Sequence, residues 1–376
     1  MSAVARHLTT AVIHLDRLTH NMRLLRTLAG DRPLWPAIKA NAYGHGAGIV
    51  ARHRVGLGYD TLCVAHAPEA VALLESGVRA KFLVLSATLP EHADEIVVRG
   101  LEAAVCTEDM LAALDRAAER AGKQAVVHIK VDTGMGRVGI EPGAVADLLE
   151  RCRGFRGVRV RGLMSHMPRA DEADKGFSIA QIGQFRNVVE ATKSAGIEVR
   201  HLANSAAIFD LPGSLFDAAR PGISIYGLRP SVETLNPRTA ELRPVLEWKS
   251  TITFLKEVAA GQGLSYGHAH MTDRPSLIAT IPVGYGDGLS RRLSSNLDVL
   301  IGGVRCPQVG RITMDQSLVD VTALLGRVAP GAEAVLIGRQ GEEEITADEL
   351  AARLGTINYE IVTAIAARVP RIARSA

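Results

Sequence analysis

The sequence predicts an α/β fold, a (β/α)8 TIM-type barrel followed by a separate C-terminal all-β domain, and three observations carry that prediction. From about residue 33 to residue 226 short β-type runs alternate with helical spacing, which favours a barrel over an open sheet. After residue 240 β-type runs follow one another between glycines. Reactive polar residues recur at the ends of the drawn strands, where such barrels collect function. The expected domains are 12–240 for the barrel and 241–376 for the β-domain, with residues 1–11 able to join the latter.

The barrel strands are drawn at 33–39, 60–65, 81–86, 101–105, 125–131, 157–165, 198–203 and 220–226. The clearest helix covers 107–121, with Thr107 as N-cap, Leu111, Leu114, Ala118 and Ala121 on one face, and Gly122 as its stop. Beyond the barrel, 247–258, 276–283, 297–306, 316–321 and 333–338 read as strands, without a helix among them. One helix follows, opened by a capping box from Thr346 to Glu349 and closed by Gly355. Residues 8–14 alternate weakly and fit a strand of either domain.

Net charge is +3 with acids and bases interspersed, so neither nucleic acid nor an anionic membrane surface is expected as a partner. Cys63, Cys106, Cys152 and Cys306 are scattered, contain no CxxC pair, and read as buried thiols in a reducing compartment. No apolar run has the length of a membrane span or signal peptide, and a cytoplasmic location is expected.

The stretch PAIKANAYGHG sets Lys39 at the end of an apolar run, before a tight polar loop. Desolvation there lowers an amine's pKa and makes it the nucleophile or base that a carbonyl cofactor such as pyridoxal phosphate (PLP) needs to form a Schiff base. A lysine that snorkels to solvent is the plainer reading of Lys39 taken alone. The other strand ends change the balance: Lys130 and Asp132 close the fifth, Ser165 and His166 the sixth, Asn204 and Ser205 the seventh, while Arg220 opens the eighth with Tyr226 following. In ARPGISIYG, Gly222 and the amides of Gly222 and Ile223 suit a phosphate cradle, to which Ser205 adds a hydroxyl. HIKVDTGMGRVG holds a literal GxGxxG at Gly134, Gly136 and Gly139, but the next strand lacks the acidic residue that a dinucleotide needs. Those glycines are expected to turn the chain so that Arg137 points into the barrel mouth. His45, His66, His128, His166 and His201 share no ligand spacing, and no metal site is expected.

In this order and spacing, PAIKANAYGHG, HIKVDTGMGR, HLANSAA, ARPGISIYG, LSYG, GYGDG, GRITMDQ and GTINYE resemble the bacterial alanine racemases over nearly the whole chain. The resemblance implies a PLP-dependent isomerase, a homodimer with shared active sites, that interconverts L- and D-alanine by two-base proton transfer, serving either D-alanine biosynthesis for peptidoglycan precursors or alanine catabolism. It implies Lys39 as the Schiff-base lysine and Tyr266, from the other subunit, as the second base. Tyr43, Ser205, Gly222, Ile223 and Tyr359 would bind the cofactor phosphate, with Asn204 beside them. Arg220 would face the pyridine nitrogen with His166 behind it, and Arg137 would touch the cofactor's phenolic oxygen and the substrate carboxylate. Lys130 matches a lysine carbamylated in many members. Met314 would help bind the substrate carboxylate, and Tyr285 and Asp315 would line the entrance. Gly286 departs from the alanine usual in this loop. A racemase of serine or another amino acid, and a non-catalytic PLP-binding protein, remain alternatives.

Overall fold

The computed structural model describes residues 7–375, which form two compact units: 17–42 with 46–243, and 7–16 and 43–45 with 244–375. In the first, the strands Thr61–Val64, Lys81–Val84, Glu102–Val105, Ala125–Lys130, Val158–Met164 and Val199–His201 pair in parallel and in sequence order. Two short extended segments close the ring. Ala37 bridges Cys63, Leu34 bridges Ala219, and Ala218 bridges His201, each in parallel. Ile38 N–H donates to Cys63 O at 2.8 Å, Trp35 N–H to Ala219 O at 2.8 Å and Arg220 N–H to Ala203 O at 2.9 Å. The eight-stranded barrel is therefore complete, with first and eighth strands too short to form a regular ladder.

The eighth strand lies earlier than 220–226. Its bonds to neighbouring strands run from Asp217 N–H, which donates to Arg200 O, to Pro221 O, which accepts from Ala37 N–H. Ile223–Tyr226 instead forms a 3-10 turn after Gly222, whose φ of −116° and ψ of −98° leave the extended region. Arg220 thus stands near the end of its strand rather than opening it. The helix Glu108–Ala121 starts after extended Thr107 and stops at left-handed Gly122, and it buries Met110, Leu111, Leu114, Ala117 and Ala118.

In the second unit nine strands form one sheet in the order Arg371–Arg374, Thr10–His14, Leu246–Thr251, Glu333–Gln340, Asp298–Ile301, Val304–Val309, Ser317–Asp320, Ser276–Ile281 and Phe254–Val258, and Glu343–Ile345 pairs with Glu333–Gln340. Thr10–His14 runs parallel to Arg371–Arg374, and the other pairings are antiparallel. The unit carries two helices, Ala347–Leu354 and Asn358–Ala364, where the sequence pattern yields one. The second is a short run without the periodicity that would mark it. Thr346 Oγ1 caps the first by accepting from Glu349 N–H at 3.0 Å. The expected box is only half made, because the Glu349 carboxylate accepts from Arg305 and Arg353 instead. Gly355 ends this helix at φ +67°. No described helix is long and apolar enough to cross a membrane.

Losing an N-cap oxygen costs about 1 kcal/mol. Thr346→Ala should therefore lower the urea midpoint by that equivalent at unchanged slope; an unmoved midpoint would mean that the cap contributes nothing.

Candidate active site

Lys39 follows the first strand and begins a turn whose next four residues, Ala40, Asn41, Ala42 and Tyr43, all have φ between 50° and 56°. Left-handed non-glycine residues cost roughly 1–2 kcal/mol each. Local bonds hold the turn in place. Ala42 N–H donates to Ile38 O at 2.8 Å, and Asn41 Oδ1 accepts from Ala47 N–H at 2.8 Å. The Glu69 carboxylate accepts from Ala40 N–H at 2.6 Å with one oxygen, and from Ala65 and His66 N–H at 2.7 and 3.1 Å with the other. Glu69 was not foreseen; its signal is an acid in the first turn of the helix Ala67–Glu75. Burial lowers the pKa of Lys39, the charge of Arg137 lowers it further, and Glu69 opposes both.

Lys130 ends the fifth strand and is buried. Burial, helped by the charges of Arg220 and Arg137, pulls its pKa down from 10.5 to about 7. Asp132 folds the following loop: its Oδ1 accepts from Gly134, Met135 and Gly136 N–H at 2.9, 2.9 and 3.1 Å. Burial raises this carboxyl, but those bonds and Lys130 hold it below the ordinary value. Gly139 at φ +145° lets the loop return against the strand, since a Cβ there would lie 2.5 Å from Asp132 N. The next helical turn begins only at Pro142, so these glycines close a hairpin-like return rather than open a helix. Arg137 is exposed on that loop.

Arg220 is fully embedded. One terminal nitrogen donates to His201 Nδ1 at 2.5 Å and to His201 O at 2.8 Å, and the other donates to Ser165 O at 2.5 Å and Leu202 O at 3.3 Å. Every acceptor is neutral, and burial lowers its pKa to about 10. The imidazole bonded to Arg220 is thus His201, a pairing the sequence reading does not make. His166 lies close by, and burial together with Lys130 and Arg220 holds its pKa well below the ordinary value. Asn204 caps the helix Ser205–Asp210 by accepting from Ala207 N–H at 3.1 Å, and donates to Met167 O at 3.0 Å. Ser205 Oγ accepts from Gly222 N–H at 2.8 Å, so the hydroxyl and that amide meet as the cradle requires. Tyr226 is not at the mouth; its hydroxyl donates to Ala37 O at 2.8 Å.

In the second unit Tyr43 and Tyr359 approach with ring centroids 6.2 Å apart. Tyr266, Tyr285 and Met314 are exposed, Tyr266 by 72%. Tyr266 lines a cleft of about 390 Å³ with Ser265, Arg311, Thr313, Gln316 and Leu318. Tyr285 N–H donates to Thr313 O at 3.0 Å and Gly286 N–H to Met314 O at 2.9 Å, which brings both loops together. Arg368 clamps them by donating to Asp287 at 2.7 Å and Asp315 at 2.8 Å. A Cβ at Gly286 would stand 2.8 Å from the Arg368 guanidinium and 3.0 Å from Met314 O. Glycine in GYGDG therefore makes room for the clamp.

A cationic barrel mouth with an amine of lowered pKa and a hydroxyl-amide cradle defines a site for an anionic carbonyl cofactor on a barrel enzyme. Comparison with known proteins makes the class specific. Residues 13–230 match the model of the alanine racemase N-terminal domain, and residues 245–373 that of the C-terminal domain. The alanine racemase of Carboxydothermus hydrogenoformans is 42% identical over 96% of this chain and 98% of its own. That of Clostridium novyi is 40% identical over 96% and 94%. The structure of alanine racemase from Clostridium difficile 630 superposes with a TM-score of 0.94 at 34% identity, covering 98% of this chain and 96% of that one. The chain belongs to the alanine racemase family, and is accordingly a PLP-dependent isomerase.

With a folded pKa of about 7 against an ordinary 10.5, the unfolded chain holds one proton more at Lys130 between those values. Wild-type stability should then rise with pH across that window, by on the order of 1 kcal/mol per unit. Lys130→Met, compared in CO2-free buffer, should gain most over wild type below pH 7 and lose that advantage toward pH 10; a pH-independent difference would contradict the lowered value.

Proposed function

We propose that the chain racemises alanine with two bases, Lys39 on one face of the substrate Cα and the partner subunit's Tyr266 on the other. The observation that carries this reading is the gathering of Lys39, Lys130 and Arg220 at barrel strand ends, where Arg220 has only neutral acceptors. A desolvated cluster of cations calls for anions, and PLP brings a phosphate while the amino acid brings a carboxylate. The residues fit the cofactor. Ser205, Gly222 and Ile223, with Asn204, would hold its phosphate, a role the family resemblance also gives Tyr43 and Tyr359; Arg220 would face its ring nitrogen with His166 nearby, and Arg137 would meet its phenolic oxygen. Bound there, PLP supplies the aldehyde for an amine and the electron sink that acidifies Cα–H.

The remaining work belongs to side chains. Lys39, whose pKa burial lowers, takes a proton from Cα or returns one. Tyr266 serves the opposite face, because a single fixed base cannot remove a proton from one side and deliver it to the other. Exposure of Tyr266, Tyr285 and Met314 on one chain supports a homodimer in which these groups complete the neighbour's site. Arg137 and the partner subunit's Met314 orient the substrate carboxylate, Lys130 steadies Arg137 and does so best as its carbamate, and Tyr285 and Asp315 line the approach. Guanidinium cannot give a proton to a ring nitrogen beside it, so with PLP bound Arg220 would leave the cofactor a weak electron sink and would favour return of the proton to Cα. We read the enzyme as cytoplasmic, supplying D-alanine to peptidoglycan precursors.

A positioned acid–base group is worth about 10² to 10⁴ in rate. In heavy water the wild type should exchange the Cα hydrogen of L- and D-alanine with inversion and that of L-serine little. Tyr266→Phe should cut racemisation by about 10² or more while retaining bound PLP. Wild-type turnover in that variant would remove Tyr266 from the mechanism, and equal exchange of serine would make the enzyme a broader racemase.

A further inference from the structure

The barrel interior holds a continuous polar chain that ends at Arg220. The Arg161 guanidinium donates to both oxygens of Glu102, at 2.5 and 2.7 Å. Glu102 Oε2 lies 2.8 Å from His128 Nε2, His128 Nδ1 lies 2.8 Å from His201 Nε2, and His201 Nδ1 faces Arg220 at 2.5 Å. Glu102, His128, His201 and Arg220 are all buried. Chemistry fixes the direction of every bond. Guanidinium can only donate, so His201 Nδ1 accepts and its proton sits on Nε2. That proton goes to His128 Nδ1, and His128 Nε2–H goes to the carboxylate.

The fold makes local concessions to this chain. Between the fifth and sixth strands Val127 pairs with Val160 but His128 pairs with Gly162, a bulge that inserts Arg161 as an extra residue. Gly162 is obligatory beside it, because a Cβ there would lie 2.2 Å from His128 Nδ1. Trp35 walls the chain, with its ring centroid 4.9 Å from His201 and 5.9 Å from His128, and its face 5.6 Å from the Arg161 guanidinium carbon. A bulge, a strand glycine and a buried polar run replace the branched apolar layers that ordinarily fill such a barrel.

We propose that Glu102 and His128 are positioning residues for racemisation, which act through His201 to hold the Arg220 guanidinium in one orientation toward the cofactor ring. The inference rests on the role given to Arg220 under Proposed function. The chain restrains Arg220, because turning its terminal nitrogen away strands the Nδ1 acceptor of His201, whose ring is held by its bond to His128. The carboxylate at the far end also supplies the one negative charge in line with a guanidinium that has only neutral neighbours.

Two variants separate bonding from packing. His128→Leu removes both bonds, whereas His128→Gln offers an oxygen to His201 and an amide N–H to Glu102 in the native direction. In holoenzyme labelled with 15N-histidine, wild type should show a His201 Nε2–H that exchanges slowly with solvent, lost in H128L and recovered in H128Q. Racemisation by H128L should show kcat lower by about 10- to 100-fold, the range that outer-shell partners of metal-bound histidines cost, with KM changed less, and H128Q should recover most of it. Should H128L fail to fold, the double variant E102L/R161L cuts the chain at its far end without leaving a lone charge, and the same losses are expected. Wild-type kcat in the cut variants, H128Q as slow as H128L, or no protected His201 Nε2–H in wild type would each overturn the proposal. A wild type that does not racemise alanine would sink the proposed function instead, and the NMR result would still decide whether the chain exists.

Discussion

Burial of the Arg220 guanidinium among neutral acceptors is the constraint on which the rest of the barrel depends. An unpaired cation in a dry interior is costly unless its donors are all met and opposite charge is within reach. Three carbonyls and the His201 ring accept from its two terminal nitrogens. The eighth strand must therefore end at Pro221, the seventh must present both the carbonyl and the ring of His201, and the sixth must turn out the carbonyl of Ser165. Burial, and after it the neighbouring positive charges, lower the pKa values of Lys130 and His166.

Lys39 is governed by a second local constraint. The left-handed run from Ala40 to Tyr43 turns the chain sharply just after the amine, and Glu69 and Asn41 restrain it. Such strain persists where surrounding bonds over-determine it, and it tends to lie at functional sites. Here it places Lys39, the proposed Schiff-base lysine, at the start of a turn held by several hydrogen bonds. Glu69 serves twice, holding the turn and opposing the fall in the Lys39 pKa.

Much of this was legible in the sequence. Strand texture placed seven of the barrel strands closely, as with Ala125–Lys130, because buried parallel strands are short apolar runs between breakers. Strand-end logic selected Lys39, Lys130 and Ser205, since that rule depends only on chain direction, whereas Arg220 was read at the start of a strand that in fact ends beside it. What was missed depended on distances that spacing does not carry. The eighth strand was drawn late because Ile223, Ile225 and Tyr226 are as β-like as a true strand, while the turn is set by Pro221 and Gly222. Glu102, His128 and Arg161 looked unrelated, because a bulge and a barrel interior join them across three strands. The bond from Arg220 to His201 was equally hidden, because only the fold says which ring the guanidinium reaches. The helix Asn358–Ala364 carried too few residues for periodicity to register.

The central claim is that the barrel mouth is a cationic site for a phosphate-bearing aldehyde, with Lys39 as the amine that meets it. Two lysines there have depressed pKa values, Lys39 and Lys130, and both are nucleophilic when neutral. Borohydride reduction of the PLP-loaded protein, followed by peptide mapping, tests the claim most directly. The account predicts the reduced pyridoxyl group on the peptide that contains Lys39, at one per chain; the label on Lys130, or spread over surface lysines, would contradict it.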